Sequence, residues 1–147
     1  MPITGGCRCG AIRYELAVEE LPVTYACHCN DCQTWSGSAF AINALLPEAL
    51  LQITGEVGEF SIDAGERFPS QHLAGAACST RLANRNAAVP GMVVLRAGTL
   101  DRSDELVPAV HIWAKRKQRW LALPKSTPSF DETPSPTEFA AALQGKV

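Results

Sequence analysis

Three cysteines stand within six residues in Cys27-His28-Cys29-Asn30-Asp31-Cys32, two more flank one arginine in Cys7-Arg8-Cys9, and Cys78 stands alone. The first residues, Met1-Pro2-Ile3-Thr4-Gly5-Gly6, have neither the basic start nor the apolar stretch of a signal peptide. That points to the reducing cytoplasm, where disulfides rarely persist. Six cysteines in that setting are explained first by metal binding and second by catalysis.

The spacing is suited to a metal. Residues two apart in a strand face one side, so Cys7 and Cys9 are expected to converge on one ion, with Gly5, Gly6 and Gly10 letting the backbone close around it. The C-x-C-x-x-C set falls at a strand-to-helix junction, where a helix N-terminus favours thiolate over thiol. Zinc takes sulfur ligands tetrahedrally at about 2.3 Å. Three local ligands leave a fourth position: open to an exchangeable ligand, the site is catalytic; closed by a distant residue such as His28 or Cys78, it is structural. An iron–sulfur cluster is a weaker rival, because C-x-C-x-x-C is not a usual cluster spacing.

The rest of the chain reads as mainly β. Its 147 residues, 46% apolar and 19% charged, suit one globular domain. Strands are predicted at Ala11–Leu16, Val23–Cys27, Ala39–Leu45, Leu50–Thr54, Gly58–Ile62, Met92–Gly98, Ala109–Trp113 and Arg119–Leu121, punctuated by turn residues such as Asp63-Ala64-Gly65. A short helix is predicted from an N-cap at Asn30 to Ser36-Gly37. A second opens with Ser135 as N-cap, Pro136 at the first turn and Glu138 completing a capping box, runs through Phe139-Ala140-Ala141-Ala142-Leu143, and stops at Gly145. With four prolines between 124 and 136, the organisation predicted is a zinc-binding domain over 1–124 and a Pro-rich tail with a short C-terminal helix over 125–147.

A formal net charge of -2 argues against nonspecific nucleic-acid binding, and no apolar run approaches the roughly 20 residues that span a bilayer. A small polar substrate or a protein partner remains.

Taken together, several stretches resemble the glutathione-dependent formaldehyde-activating enzyme family, whose relatives include the centromere protein V group. They are Gly5-Gly6-Cys7-Arg8-Cys9-Gly10-Ala11-Ile12-Arg13-Tyr14, Cys27-His28-Cys29-Asn30-Asp31-Cys32-Gln33, Ser36-Gly37-Ser38-Ala39-Phe40, Ala97-Gly98-Thr99-Leu100 and His111-Ile112-Trp113. The resemblance implies an Mss4-like coiled β-sheet fold with two Zn2+ sites. Cys27, Cys29 and Cys32 would hold the catalytic zinc. Cys7 and Cys9, with a later C-x-x-C followed by Gly-Thr-Arg, would hold a structural one. The chain departs from that pattern in Gly75-Ala76-Ala77-Cys78-Ser79-Thr80-Arg81, where Gly75 stands in the first cysteine's place. The second site is therefore expected to be weakened, its fourth position left to His72, to water or to nothing.

The activity implied is that of a carbon–sulfur lyase like S-(hydroxymethyl)glutathione synthase, acting on glutathione or a similar small thiol and on formaldehyde or another aldehyde. The rival reading is a non-catalytic zinc module for a protein partner. Lys115-Arg116-Lys117-Gln118-Arg119 reads either as a carboxylate clamp or as a solvated turn between strands. His111 and Trp113 are expected on one face of a strand, lining a pocket or packed in the core. His28 is expected to point away from the metal, and Trp35 to lie in the core.

Overall fold

The computed structural model describes residues 1–63 and 69–145. In chain order its regular elements are β1 (Ile3–Gly6), β2 (Arg13–Leu16), β3 (Tyr25–Cys27), α1 (Asn30–Ser36), β4 (Ala41–Pro47), β5 (Leu51–Thr54), β6 (Val57–Ile62), β7 (Ser70–Gly75), β8 (Arg81–Asn86), β9 (Met92–Arg96), β10 (Val110–Ile112) and α2 (Pro136–Leu143). The ten strands form two sheets, of three and seven strands. The chain divides into two compact units, Met1–Pro22 with Ala44–Leu106, and Val23–Asn43 with Val107–Val147.

In the first unit β1, β2 and β5 make the three-stranded antiparallel sheet, with Ile3 opposite Leu16 and Tyr14 opposite Ile53. β2 alternates exposed Arg13 and Glu15 with buried Tyr14 and Leu16, the period of a strand with one face inside. Gly5 is required where it stands. A Cβ there would collide with the Tyr14 hydroxyl and the Thr99 carbonyl. That close approach lets Tyr14 Oη and Thr99 Oγ1 meet at 2.8 Å. Strands β6 to β9 follow one another antiparallel, with a register shift at Leu73/Ala74. Leu73, Leu82, Val93 and Leu95 are buried in this unit.

In the second unit β10 pairs parallel with β3, and β3 pairs antiparallel with the start of β4. β3 is buried along its whole length. Ser135 caps α2 as expected, its Oγ accepting from the Glu138 N–H at 3.2 Å, while the Glu138 carboxylate accepts from the Ser135 hydroxyl at 2.9 Å. The Phe139 ring of α2 meets Tyr25 edge-on at 5.0 Å. Pro128–Phe130 runs beside β10, with the His111 N–H bonded to the Pro128 carbonyl and the Phe130 N–H to the His111 carbonyl.

Several local expectations are corrected. Arg119–Leu121 is not a strand: the Leu121 N–H turns back to the Gln118 carbonyl at 3.1 Å. The N-cap of α1 is Cys29 rather than Asn30, the Cys29 sulfur accepting from the Cys32 N–H. The sequence pattern does not predict strands β1, β7 and β8. β8 reads Arg-Leu-Ala-Asn-Arg-Asn, with no β-branched residue, and is made a strand by its neighbours rather than by propensity. Ala64 and Gly65 of the predicted turn lie outside the described residues.

Candidate metal centres

The first triad is assembled by three consecutive devices. β3 delivers Cys27 at its last position, the chain leaves the ladder, and Cys29 caps α1 with its sulfur 3.3 Å from the Cys32 N–H on the helix's first turn. The three sulfurs lie within 4.8 Å of one another. Cys27 and Cys32 are buried at 5% and 6% exposure, whereas Cys29 is partly open. The neighbouring sulfurs of Cys29 and Cys32, and then burial, push the Cys27 thiol far up. A metal ion held by these sulfurs would displace the Cys27 proton.

His28 does not join these sulfurs. Its ring is fully buried, with Nε2 2.9 Å from His111 Nδ1, and the Phe40 ring lies 5.1 Å away. Burial, then His111 and Lys117, lowers the His28 pKa to about 4, so the pair is neutral at physiological pH. His28 Nδ1 is buried with no hydrogen-bond partner among the described residues. The His28 carbonyl accepts from Gln33 Nε2 at 2.8 Å, tying the peptide between two cysteines to α1.

The second triad comes from two turns, not from a strand face. Cys7 follows β1, and the Gly10 N–H bonds back to its carbonyl, folding Cys9 over so that the two sulfurs stand 3.6 Å apart. Cys78 sits in the turn between β7 and β8, closed by the Ser79 N–H on the Gly75 carbonyl and the Gly75 N–H on the Thr80 carbonyl. Ser79 takes a left-handed φ of 62° to complete it. Cys7, Cys9 and Cys78 again lie within 4.8 Å. The Ile12 N–H donates to Cys7 Sγ, and Thr80 lowers the Cys78 pKa to about 6 through its side chain and backbone. Backbone donors aimed at sulfur stabilise thiolates, the form that ligates.

Both sets fit zinc. Bonds of about 2.3 Å give a tetrahedron with edges of roughly 3.8 Å, close to the Cys7–Cys9 separation. Among the described residues neither cluster includes a fourth His, Cys, Asp or Glu. A Cβ added at Gly75 would stand 3.3 Å from Cys78 Sγ and 3.7 Å from Cys7 Sγ, at the mouth of the second triad. His72 is engaged elsewhere: Nε2 pairs with Ser70 Oγ at 2.7 Å, Nδ1 faces the Arg81 guanidinium, and Phe60 stacks on the ring.

Other candidates separate. His111 is buried against His28, but Trp113 lies past the end of β10 at φ 57° and donates to Thr133 Oγ1, so the expected shared face is broken by that left-handed residue. Trp35 is half-buried rather than core. In the basic run, Lys115 pairs with Glu132 and Lys117 Nζ donates to the Leu121 carbonyl; the run occupies a 3-10 turn at Ala114–Arg116 and the loop after it. Gln118, expected only as part of the basic run, and Trp120, expected only within a strand, border a cleft beside α1 together with Gln33 and Phe40. Their separation from the cysteines in sequence left no local signal.

The family model described as glutathione-dependent formaldehyde-activating enzyme matches residues 2–116. The chain belongs to that family. A crystal structure of a Rhodobacter sphaeroides protein, a structural-genomics target, is similar at 18% identity and TM-score 0.54, covering 71% of this chain and 97% of that one. The likeness fits the mainly β, Mss4-like architecture with two short helices. No curated protein matches the chain. The formaldehyde-activating family is enzyme-like, and its two cysteine triads in this chain are positioned to bind metal ions. Among the described residues, no helix is long and apolar enough to cross a membrane.

Proposed function

We propose that the chain is a zinc-dependent enzyme of the carbon–sulfur lyase type, acting on the adduct of a small thiol and an aldehyde, as S-(hydroxymethyl)glutathione synthase does. The observation that carries this reading is the first triad: three convergent sulfurs, two buried and one partly open, with no fourth protein ligand among the described residues. Cys27, Cys29 and Cys32 would hold a catalytic Zn2+, and Cys7, Cys9 and Cys78 a second Zn2+ more weakly because Gly75 lends no side chain. Zinc bound there supplies Lewis acidity and favours thiolate over thiol.

The chain's own residues do the rest. Gln33 holds the His28 carbonyl, keeping the peptide between Cys27 and Cys29 in place, and the Cys32 N–H orients the Cys29 sulfur. The buried His28–His111 pair ties the loop to β10, whose Ile112 stands opposite Cys27 in the ladder. In the synthetic direction the sulfur–carbon bond forms as the carbonyl π bond breaks. The thiol proton passes to solvent and the new alkoxide takes one up, so no oxidant or reductant is needed. The reverse releases aldehyde and thiol. Six free thiols suit a reducing cytoplasm.

The test is exchange spectroscopy with 13C-formaldehyde and glutathione, with metal content measured on the same sample. Accelerated exchange between hydrated aldehyde and adduct, lost in Cys29→Ser together with one zinc, supports the reading. A chain carrying zinc on the first triad that leaves the exchange rate unchanged for every thiol tried is instead the non-catalytic module.

A further inference from the structure

The cleft beside α1 has a volume of about 560 Å3 and is walled chiefly by Gln33, Thr34, Ser38, Phe40, Gln118 and Trp120. No lining residue carries a charge. One chain of side-chain amides builds its far wall. Trp120 Nε1 donates to Gln118 Oε1 at 2.6 Å, Gln118 Nε2 donates to Gln33 Oε1 at 3.4 Å, and Gln33 Nε2 donates to the carbonyls of His28 and Arg116 at 2.8 and 2.9 Å. The relay thus starts on the peptide between Cys27 and Cys29 and ends on an indole that is 72% exposed. Large apolar rings are rarely left so open, and a hydrogen bond that fixes one outward leaves its faces available for stacking. Of the cations in the adjoining run, Lys115 pairs with Glu132 and Lys117 donates to the Leu121 carbonyl, and none of Lys115, Arg116, Lys117 and Arg119 lines the cleft.

We propose that this cleft seats the body of the thiol substrate and selects an uncharged one bearing an aromatic or amide group, with Trp120 as stacking platform and Gln118 as the specificity-determining residue. The proposal rests on the thiol–aldehyde reading of the first triad. Glutathione brings two carboxylates, and a wall without cations offers them no partner in exchange for lost water. An amide or aryl body meets the second Gln118 amide N–H, the Ser38 and Thr34 hydroxyls and an open indole face instead. The relay then links occupancy of the cleft to the carbonyl that sits between two cysteines.

Binding of inert thioethers separates this from turnover. Calorimetric titration of the full chain with S-methyl-N-benzoylcysteamine and with S-methylglutathione should show the uncharged compound tighter by about tenfold. Trp120→Ala should erase most of that preference, and Trp120→Phe should retain it. Gln118→Lys should turn the preference toward S-methylglutathione. Trp120 is exposed, so unchanged thermal midpoints check that its variants fold. Equal or tighter binding of S-methylglutathione by the unaltered protein, no binding of either compound, or a Trp120→Ala variant that behaves like the original overturns the proposal. Preserved selectivity without aldehyde turnover sinks the proposed reaction alone; turnover with glutathione preferred sinks the selectivity alone.

Discussion

The two triads hold the same donors in different ways. The first belongs to one continuous stretch, Cys27 to Cys32, where a strand end and a helix cap fix three sulfurs over six residues. The second joins turns far apart in the chain and depends on the β7–β8 turn reaching the end of β1. In the first, two sulfurs are buried and the neighbours raise the Cys27 thiol. In the second, Cys9 is exposed and Thr80 lowers the Cys78 thiol. A site closed by local geometry keeps its shape without metal, while one assembled from distant turns gains more of its order from the ion.

That contrast can be broken most sharply at Cys29. Cys29→Ser should remove zinc from the first triad and lower activity by about 100-fold or more, while metal at the second triad stays as it was. Metal analysis with cobalt substitution reads both; loss from both triads together would end the claim of independence.

The next effect is a pH response in the first unit that does not come from sulfur. Burial, then Arg81 and Arg96, depresses the His72 pKa to about 4 in the folded state, against about 6.5 unfolded. Between those values the unfolded chain binds more protons, so stability falls as pH drops from about 6.5 to 4, His72 alone accounting for about 3 kcal/mol and the buried His28 adding to it. Urea unfolding of Cys78→Ser, which lacks the second triad, should keep this slope, and His72→Gln should remove the His72 share while leaving that of the buried His28. A slope that vanishes with Cys78 instead would assign the response to the thiols.

Smaller is the gain from restoring a ligand. Gly75→Cys should raise zinc toward two per chain and the thermal midpoint by about 3–8 °C, since metal held only by the folded state stabilises it. If the unaltered protein already binds two full equivalents and the variant changes neither quantity, the weakened-site reading fails. Least of all, Phe139→Ala should cost about 1 kcal/mol through its edge contact with Tyr25, leaving metal at the second triad untouched. Calorimetry with metal analysis checks it.

What could be read from the sequence was whatever is local. The N-cap at Ser135, the strand-to-helix junction at Cys27 to Cys32 and the mainly β pattern depend on residues within a turn or two of each other. β7 and β8 escaped because Ser, Gln, Asn, Arg and Ala are weak strand formers whose pairing is decided by partners. Arg119–Leu121 misled because its residues suit a strand, yet no neighbouring strand pairs there and the backbone bonds to itself. The amide relay from Gln33 to Trp120 has its middle link 85 positions apart, beyond any periodicity.

Parallel pairing of β3 with β10 also has a consequence in time. The ladder beside Cys27 closes only when Val110–Ile112 has left the ribosome, and the His28–His111 bond spans 83 positions. At about 5–20 residues per second, synthesis of that interval takes roughly 4–17 s. Throughout it the C-x-C-x-x-C thiols have emerged without the strand that shields Cys27. A nascent chain therefore exposes these thiols, before its own fold is complete, to whatever metal ions and oxidants surround it.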